Sequence, residues 1–233
     1  MGKLKVLILG DGLLGLEIYN QTGWDVMSRK KNNIDVLNFN EWSNELFNYD
    51  IILNCIANTD TYSDNQQLHW NINYKFVYEL INYCNINNKK LIHISTDYLY
   101  TNSNNQSSEN DIPVHNKTWY GYTKLLSDGL VQLMCQDYLI CRCTHKPNPF
   151  PFDGAWIDQI GNFDYVNIIS ELIIKLINSN SSGLYNVGTE TKTMFELASK
   201  TKDVNKIFSP PHVPKNTSMN LDKLNNTIKY DKH

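Results

Sequence analysis

The sequence lacks long hydrophobic runs and a net positive charge. No apolar stretch approaches the roughly 20 residues that a membrane-spanning helix needs, and we expect no secretory signal at the start. The 21 Lys and Arg residues are outnumbered by 24 Asp and Glu residues, which gives a net charge of −3. We therefore expect a soluble, cytoplasmic protein with no membrane partner and no nucleic-acid partner.

Cysteine is also scarce. The five cysteines in 233 residues are an odd number, which argues for reduced thiols rather than a disulfide framework. Cys141, Cys143 and His145 alternate and could face one way on a strand, but a fourth ligand and a CxxC spacing are missing. The sequence therefore predicts buried thiols and no metal site.

Hydrophobic residues make up 41% of the sequence, enough for one domain plus a small lobe.

A glycine-rich turn follows the first apolar stretch. Residues 5–9 predict a strand, Gly10-Asp11-Gly12-Leu13-Leu14-Gly15 follows, and the next residues have a helical pattern. In this context Gly10 permits a tight turn, Gly12 lets the backbone approach a pyrophosphate, and Gly15 lets the helix pack on the strand. Phosphates bind at such a helix N-terminus. We expect a dinucleotide site, rather than an ordinary glycine turn, with contacts at Gly10, Gly12, Leu13, Leu14 and Gly15.

The end of the second predicted strand, residues 24–28, decides which dinucleotide is preferred. It is followed by Arg29, Lys30 and Lys31. An acidic residue at this position would accept a hydrogen bond from a ribose 2′-hydroxyl, whereas a cation suits a 2′-phosphate. We expect Arg29 to favour NADP(H), with NAD(H) as the alternative cofactor and a solvated basic turn as the alternative role of the segment.

Strand and helix patterns alternate as far as about residue 200. Further strands are expected at 34–37, 50–55, 91–95, 139–142 and 183–187. Helices are expected at 67–85, 120–133, 165–178 and 193–200. Residues 101–117 predict a surface loop, and residues from Ser209 onward predict a loosely held tail.

This alternation predicts an α/β fold, a Rossmann-type doubly wound parallel sheet with a small, reduced C-terminal substrate lobe. Residues 1–143 are expected to form the NADP-binding domain, to which helix 165–178 and strand 183–187 return. Residues 144–164 and 188–233 are expected to form the lobe.

A tyrosine and a lysine share one face at the start of the helix predicted from residue 120. Tyr120 and Lys124 are four residues apart, so they lie one turn from each other. A free tyrosine has a pKa near about 10. A cation one turn away lowers it, which makes a usable general acid or base. The alternative is a packed tyrosine beside a solvated lysine. The apolar positions expected on this helix are Leu125, Leu126, Leu130 and Leu133.

Four motifs together resemble the extended short-chain dehydrogenase/reductases, and among them the dTDP-4-dehydrorhamnose reductases. They are residues 10–15, 53–57 with Thr59, 94–100 and 120–124. Residues 71–73 resemble the stretch that carries the family's helix asparagine, and residues 183–188 resemble its later strand and turn. The resemblance implies that NADPH reduces the 4-keto group of a nucleoside-diphosphate 4-keto-6-deoxyhexose, either dTDP-linked or UDP-linked.

The resemblance also implies roles for individual residues. Tyr120 would protonate the developing alkoxide, Lys124 would hold the nicotinamide ribose, and Thr96 would bind the carbonyl. Cys55, Ile56 and Ala57 would line the cofactor, and Asp35 with Val36 would lie near its adenine. The expected substrate contacts are Thr96, Asp97, Tyr98, Arg142, Lys146 and Trp156, with a structural ion pair as the alternative for Arg142.

Sister activities are distinguished by one residue. Related 4,6-dehydratases carry Glu after the Asp of this motif, whereas Tyr98 follows Asp97 here. The base needed for dehydration is therefore missing, and the motif favours a reductase over a C4 epimerase. A non-catalytic NADP(H)-binding regulatory subunit is the alternative from another class, and the short chain supports it. A homodimer through helices 67–85 and 120–133 is expected from the resemblance alone.

Overall fold

A computed structural model describes residues 4–101, 105–114 and 118–228. The chain divides into two compact units. Over their described residues, the first comprises Met1–Ser95, Lys117–Cys141 and Ser182–Leu184, and the second comprises Thr96–Asn116, Arg142–Ser181 and Tyr185–His233. The second unit thus includes the helix that we expected to return to the cofactor domain, so the domain boundaries stay a prediction. Among the described residues, no helix combines the length and apolar character needed to cross a bilayer.

Strands and helices alternate as expected up to residue 142, and four short strands then follow in succession before the helix at 166–178. The strands are β1 Val6–Leu9, β2 Asp25–Met27, β3 Ile51–Asn54, β4 Lys90–Ser95, β5 Tyr138–Arg142, β6 His145–Lys146, β7 Gly154–Trp156, β8 Ile160–Gly161, β9 Asp164–Tyr165, β10 Gly183–Asn186, β11 Lys192–Thr193, β12 Asn205–Ile207 and β13 Asn216–Thr217. The α-helices are α1 Leu13–Thr22, α2 Arg29–Asn32, α3 Phe39–Trp42, α4 Gln66–His69, α5 Phe76–Ile86, α6 Trp119–Met134, α7 Val166–Asn178, α8 Met194–Ala198 and α9 Asp222–Thr227. Three 3₁₀ segments are Val36–Asn38, Ser43–Asn48 and Asp97–Leu99, and Trp70–Lys75 is a π-helix.

A six-stranded sheet has the order β10-β5-β4-β3-β1-β2. β1 pairs in parallel with both β2 and β3, and β3 pairs in parallel with β4. Along the chain, β2 is added on one side of β1, and β3, β4, β5 and β10 are then added on the other side. The topological switch point therefore lies between β1 and β3. All residues of these two strands are buried, as continuous apolar strands of a covered sheet should be. The predicted doubly wound fold class is confirmed.

Two glycines set the distance between α1 and the sheet. Gly10 has φ +99°, in the left-handed region that favours glycine. A Cβ on Gly15 would stand 2.1 Å from the carbonyl oxygen of Gly10 and 3.4 Å from Cβ of Cys55. Real side chains do not approach a backbone oxygen so closely, so the helix packs on the strand only because residue 15 is glycine. The roles predicted for these two glycines in the turn agree with this geometry.

The long predicted helix 67–85 is present as α4, the π-helix and α5 in succession. Four apolar residues recur along it at four-residue spacing: Phe76, Leu80 and Cys84 are buried, and Ile72 is half-buried.

The leucines that indicated α6 lie on this helix but are not its buried residues. Leu133 is 85% exposed, and Leu125, Leu126 and Leu130 are half-buried. The buried positions of this helix are mostly polar or small: Gly121, Thr123, Lys124, Ser127, Asp128 and Val131. The helix turns a polar face inward because β4 offers polar partners there, which an apolar periodicity cannot reveal.

The short strand expected at 34–37 is also absent. Val36–Asn38 is a 3₁₀ turn instead, and Asp35 caps it by accepting a hydrogen bond from the Leu37 N–H at 3.0 Å. Aspartate favours such local side-chain capping over strand pairing.

The second unit has its own apolar cluster and small sheets. A three-stranded sheet has the order β11-β8-β13, and β12 pairs with β7 and β6 with β9. The cluster consists of Phe150, Ala155, Phe163, Tyr165, Met194, Leu197 and Ala198.

The tail expected after Ser209 is not loosely held over its described part, to residue 228. Met219 is 2% exposed, and its N–H donates to Oδ1 of Asn162 at 2.6 Å. Thr217 and Ser218 are buried as well. Its asparagines and prolines suggested disorder, but backbone pairing through β13 holds the segment. Residues 101–114 likewise include a buried Ser107, whereas positions 102–104 and 115–117 lie outside the described residues.

The close approach at Gly15 can be tested by substitution. Gly15→Ala is expected to lower the free energy of unfolding by about 3 kcal/mol, because its methyl group would overlap a backbone carbonyl. Gly129→Ala is the matched control, since Gly129 is also inside a helix but its Cβ would meet nothing within 4 Å. The control should gain about 1 kcal/mol from helix propensity. Urea unfolding measures both, and equal stability of the two variants would contradict the geometry.

Candidate active site

The predicted cofactor residues from two stretches meet at the switch point. The Cys55 N–H donates to the Leu9 carbonyl at 2.9 Å, which joins the carboxyl ends of β1 and β3. A Cβ on Gly10 would meet Cγ1 of Ile56 at 3.0 Å. Ala57 continues the same loop, which has no regular structure. Ligands of open α/β sheets bind in this crevice beyond the strand ends.

The N-terminus of α1 is open beside that crevice. Gly12 is the N-cap, and a Cβ placed on it would meet nothing within 4 Å. Leu13 is exposed, while Leu14 packs inward. An uncovered helix N-terminus with exposed N–H groups attracts an anion, so the turn fits a phosphate.

The residues expected near the adenine end lie farther along the same unit. Arg29 is exposed and begins α2 directly after β2, where Ser28 caps the helix by accepting from the Lys31 N–H at 3.1 Å. Asp35 is exposed in its capping turn, and Val36 packs on the apolar core. Their contacts with a cofactor stay predictions.

α6 carries Tyr120 and Lys124 in the expected arrangement. Thr118 caps this helix by accepting from the Gly121 N–H at 3.1 Å, so Tyr120 lies in its first turn and is half-buried. Lys124 is 2% exposed, and its Nζ donates to the carbonyl oxygen of Ile94 at 2.6 Å. The alternative of a solvated lysine is therefore excluded.

His93 is a polar neighbour of Lys124 that the sequence analysis missed. Its Nε2 lies 3.3 Å from Nζ of Lys124, and its Nδ1 lies 3.4 Å from Nδ2 of Asn54. Burial, and next the positive charge of Lys124, hold the pKa of His93 well below its ordinary value. The available signal was one histidine within an otherwise apolar strand.

A second buried network anchors the loop after β3. Oδ1 of Asn73 accepts from the Asn58 N–H at 2.8 Å, and its Nδ2 donates to the Asn58 carbonyl at 3.1 Å and to Oγ1 of Thr123 at 3.2 Å. Asn73, on the π-helix, thereby links the loop to α6. The family resemblance pointed to residues 71–73 without choosing between Asn71 and Asn73, and these contacts distinguish Asn73.

In the second unit, Asp97 is the centre of a hydroxyl cluster. Its carboxylate accepts hydrogen bonds from Thr144 and, at 2.9 Å, from Thr217. Burial raises the pKa of Asp97, and these hydrogen bonds and the charge of Lys146 oppose the rise. Thr96 is buried and accepts from the Tyr98 N–H at 3.2 Å, which caps the following 3₁₀ turn.

Arg142, another predicted substrate contact, is deeply buried. It is 1% exposed, its Nη1 donates to the hydroxyl of Tyr100 at 2.5 Å, and its guanidinium lies 5.0 Å from that ring's centroid. This favours a structural role, and its contact with a diphosphate stays a prediction. Burial lowers the pKa of Lys146, and Asp97 opposes this. Trp156 is half-buried against the apolar cluster of the second unit.

Cys141 and Cys143 are buried, as predicted. Nδ1 of His145 is buried and has no hydrogen-bond partner among the described residues.

The described geometry can be compared with known proteins. The family model for the RmlD substrate binding domain matches residues 4–145. The chain belongs to this family. The family resemblance drawn from the motifs is thus confirmed, and the prediction of an oxidoreductase agrees with it.

Several known proteins are similar to this chain in sequence or in fold. The spore coat polysaccharide biosynthesis protein SpsK of Bacillus subtilis is 28% identical, over 78% of this chain and 72% of its own. A dTDP-4-dehydrorhamnose reductase from Bacillus anthracis, solved in complex with NADP, has a TM-score of 0.82 at 23% identity and covers 97% of this chain and 92% of its own. A UDP-glucuronic acid 4-epimerase from Bacillus cereus, solved with NAD, has a TM-score of 0.76 at 18% identity and covers 98% of this chain and 93% of its own.

The buried imidazole in the second unit predicts acid sensitivity. Burial, and next the charge of Lys146, lower the pKa of His145 to about 4. The unfolded chain therefore takes up this proton from about pH 6.5 downward while the folded chain does not, so stability present above pH 6.5 is lost as the pH falls toward 4. Between pH 7 and 5, His145→Gln should lose about 2 kcal/mol less unfolding free energy than the wild type.

Urea unfolding at the two pH values measures this difference. His212→Gln changes an exposed histidine of the same unit and should keep the wild-type pH dependence. Identical pH dependence of wild type and His145→Gln would contradict the assignment.

Proposed function

We propose that the protein is an NADPH-dependent reductase of the 4-keto group of a nucleoside-diphosphate 4-keto-6-deoxyhexose. The observation that carries this proposal is the buried Lys124, held by the Ile94 carbonyl one helical turn after Tyr120. Membership of the RmlD family and the NADP bound by the Bacillus anthracis relative support the same activity.

The residues at the switch point fit a dinucleotide. The left-handed Gly10, the unobstructed Gly12 and the open N-terminus of α1 would receive the pyrophosphate. Cys55, Ile56 and Ala57 would line the nicotinamide half. Arg29 is free to reach outward from α2 as a partner for a 2′-phosphate, and Asp35 with Val36 would lie at the adenine. When bound, NADPH supplies a hydride to the carbonyl carbon.

Tyr120 and Lys124 would supply the acid chemistry. As the carbonyl is reduced, negative charge develops on its oxygen, and the Tyr120 hydroxyl donates a proton to it. The ammonium of Lys124 favours the phenolate left behind and holds the ribose in place. Thr96 would donate a hydrogen bond to the carbonyl oxygen and orient it. Fixed orientation and a ready proton donor together lower the barrier.

The finer identity of the substrate is part of the proposal. A dTDP-linked rhamnose-type sugar is favoured by the name of the Bacillus anthracis relative, and a UDP-linked 2-acetamido-2,6-dideoxyhexose is the alternative. Asp97 and Tyr98 would contact the sugar. Lys146 and Arg142 would face the diphosphate, and Trp156 would stack on the base.

Two other functions compete. An epimerase is suggested by the likeness to the Bacillus cereus protein, but this likeness, at 18% identity, extends to the fold alone. The hypothesis of a non-catalytic NADP(H)-binding subunit was based on the expectation of a reduced substrate lobe. The match over 92% of the Bacillus anthracis chain weakens that argument. A cytoplasmic homodimer remains part of the proposal by resemblance.

The proposal is tested by replacing one hydroxyl. Wild-type protein with dTDP-4-dehydrorhamnose should oxidise NADPH, followed by absorbance at 340 nm. Tyr120→Phe should lose about 100- to 10,000-fold in kcat, because the proton donor is gone, while its affinity for NADPH stays nearly unchanged.

Tyr122→Phe is the matched control. Tyr122 is on the same helix, and its ring packs edge-on against Trp70 and Trp119, contacts that phenylalanine keeps. Its kcat should stay near the wild-type value. Equal turnover by Tyr120→Phe and wild type would remove Tyr120 from its role. Tight NADPH binding with no oxidation by wild type, on dTDP- and UDP-linked 4-keto sugars alike, would favour the regulatory subunit.

A further inference from the structure

The last residue of α4 is a buried histidine that the proposed chemistry does not use. His69 is 0% exposed and directly precedes the π-helix that carries Asn73. The two residues are four apart on a continuous helix, so they lie about one turn from each other. Buried polar groups cost free energy unless they find partners. The partners of this ring therefore indicate what it does.

The amide of Asn73 faces one nitrogen of the ring. The Asn58 N–H donates to Oδ1 of Asn73 at 2.8 Å. A backbone N–H can only donate, so the atom that faces it is the amide oxygen, and the other end of the amide is its nitrogen. That nitrogen lies 3.4 Å from Nδ1 of His69. Because an amide nitrogen only donates, Nδ1 has to accept.

The side chain of Asn58 leads to the same assignment. The Asp60 N–H donates to its Oδ1 at 3.4 Å, so its amide nitrogen is the atom that lies 3.1 Å from Nδ1 of His69. The neutral ring therefore accepts at Nδ1 and carries its proton on Nε2. Nε2 is buried and has no hydrogen-bond partner among the described residues. The contacts of the ring with the loop after β3 are thus made through Nδ1.

The surroundings of the ring favour its neutral form. Burial lowers the pKa of His69, and the charge of Asp60, with the backbone of Asp60 and Ser63, opposes this fall. Protonation would also turn Nδ1 into a donor that faces the amide nitrogens of Asn58 and Asn73. Two donors that face each other repel, so these contacts disfavour the charged ring as well. The acceptor at Nδ1 is therefore available at neutral pH.

We infer that His69 is a positioning residue for the loop after β3: Nδ1 of its neutral ring accepts the Asn58 amide and fixes that side chain. Asn73 binds the backbone of Asn58, so one loop residue is held by two side chains of the same helix. The inference rests on the proposed function for its effect on the cofactor, because residues 55–57 of this loop would line NADPH.

Asparagine and leucine at position 69 separate an acceptor from a side chain that only fills space. In His69→Asn, the amide oxygen is two bonds from Cβ, as Nδ1 is in histidine, so it can accept from Asn58. His69→Leu fills more of the volume of the ring but offers no acceptor. If the ring only filled space, the leucine variant would be the milder of the two.

Titration with NADPH, followed by the fluorescence of the bound cofactor, measures the effect on the loop. His69→Leu should bind NADPH about 5- to 10-fold more weakly than wild type, because a loop without this hydrogen bond has to be ordered on binding. His69→Asn should stay within about threefold of wild type. Gln67→Ala is the control on the same helix, since it removes only an exposed hydrogen bond to Asn71, and should stay within about twofold.

Steady-state kinetics separate the loop from the proton donor. In His69→Leu the KM for NADPH should rise, whereas kcat should stay within about threefold of wild type. The reason is that Asn73 keeps its own bonds to the Asn58 backbone and to Thr123 on α6. NADPH affinity of His69→Leu equal to that of wild type, or weaker binding by His69→Asn than by His69→Leu, would overturn the inference.

Two readouts on ligand-free protein keep the two proposals distinguishable. In wild type labelled with ¹⁵N-histidine, the His69 ring at pH 7 should show a protonated Nε2 and an unprotonated Nδ1, a measurement that needs no variant. The Asp60 N–H should exchange with deuterium several-fold faster in His69→Leu than in His69→Asn. A charged ring, the opposite tautomer or equal exchange would refute the positioning role even if wild type binds NADPH. Wild type that keeps both signatures but neither binds nor oxidises NADPH would refute only the proposed function.

Discussion

The burial of one lysine head group constrains the rest of the candidate site. Nζ of Lys124 is enclosed between α6 and β4 and donates to the Ile94 carbonyl. A buried cation is costly unless its donors are matched, so α6 has to present a polar face to the sheet. That fixes the rotation of the helix about its axis. The Thr118 cap fixes where the helix begins. The rotation and the start of the helix together determine the position of Tyr120, one turn before the lysine.

The glycine turn and the loop after β3 depend on a second constraint, the close approach of α1 to the sheet. Gly15 leaves no room for a side chain against the Gly10 carbonyl, and this brings the N-terminus of α1 to the switch point. Asn54 belongs to both halves of the site, since it binds the Ile56 N–H on one side and His93 on the other.

The sequence was sufficient for features determined by local pattern. The glycine turn, the apolar strands and the start of α6 were predicted because each depends on a few neighbouring residues. The face of α6 was not, because the partners that bury Lys124 and Ser127 come from β4, some thirty residues away. The 3₁₀ turn at Val36–Asn38 depends on a side-chain cap at Asp35. The fixed position of the segment after Ser209 depends on the pairing of β13 with β8. The buried Arg142 illustrates the same limit, since its partner Tyr100 is remote in sequence.

The central claim is that this chain transfers a hydride from NADPH to the keto carbon of a nucleotide sugar. The most direct measurement follows the hydrogen itself. NADPH carrying deuterium at the reactive position of its reduced ring is incubated with wild-type protein and dTDP-4-dehydrorhamnose, and the product is examined by mass spectrometry and NMR. The account predicts one deuterium, bound to C4 of the sugar. A sugar that is recovered unlabelled, or that carries the label at another carbon, would contradict it.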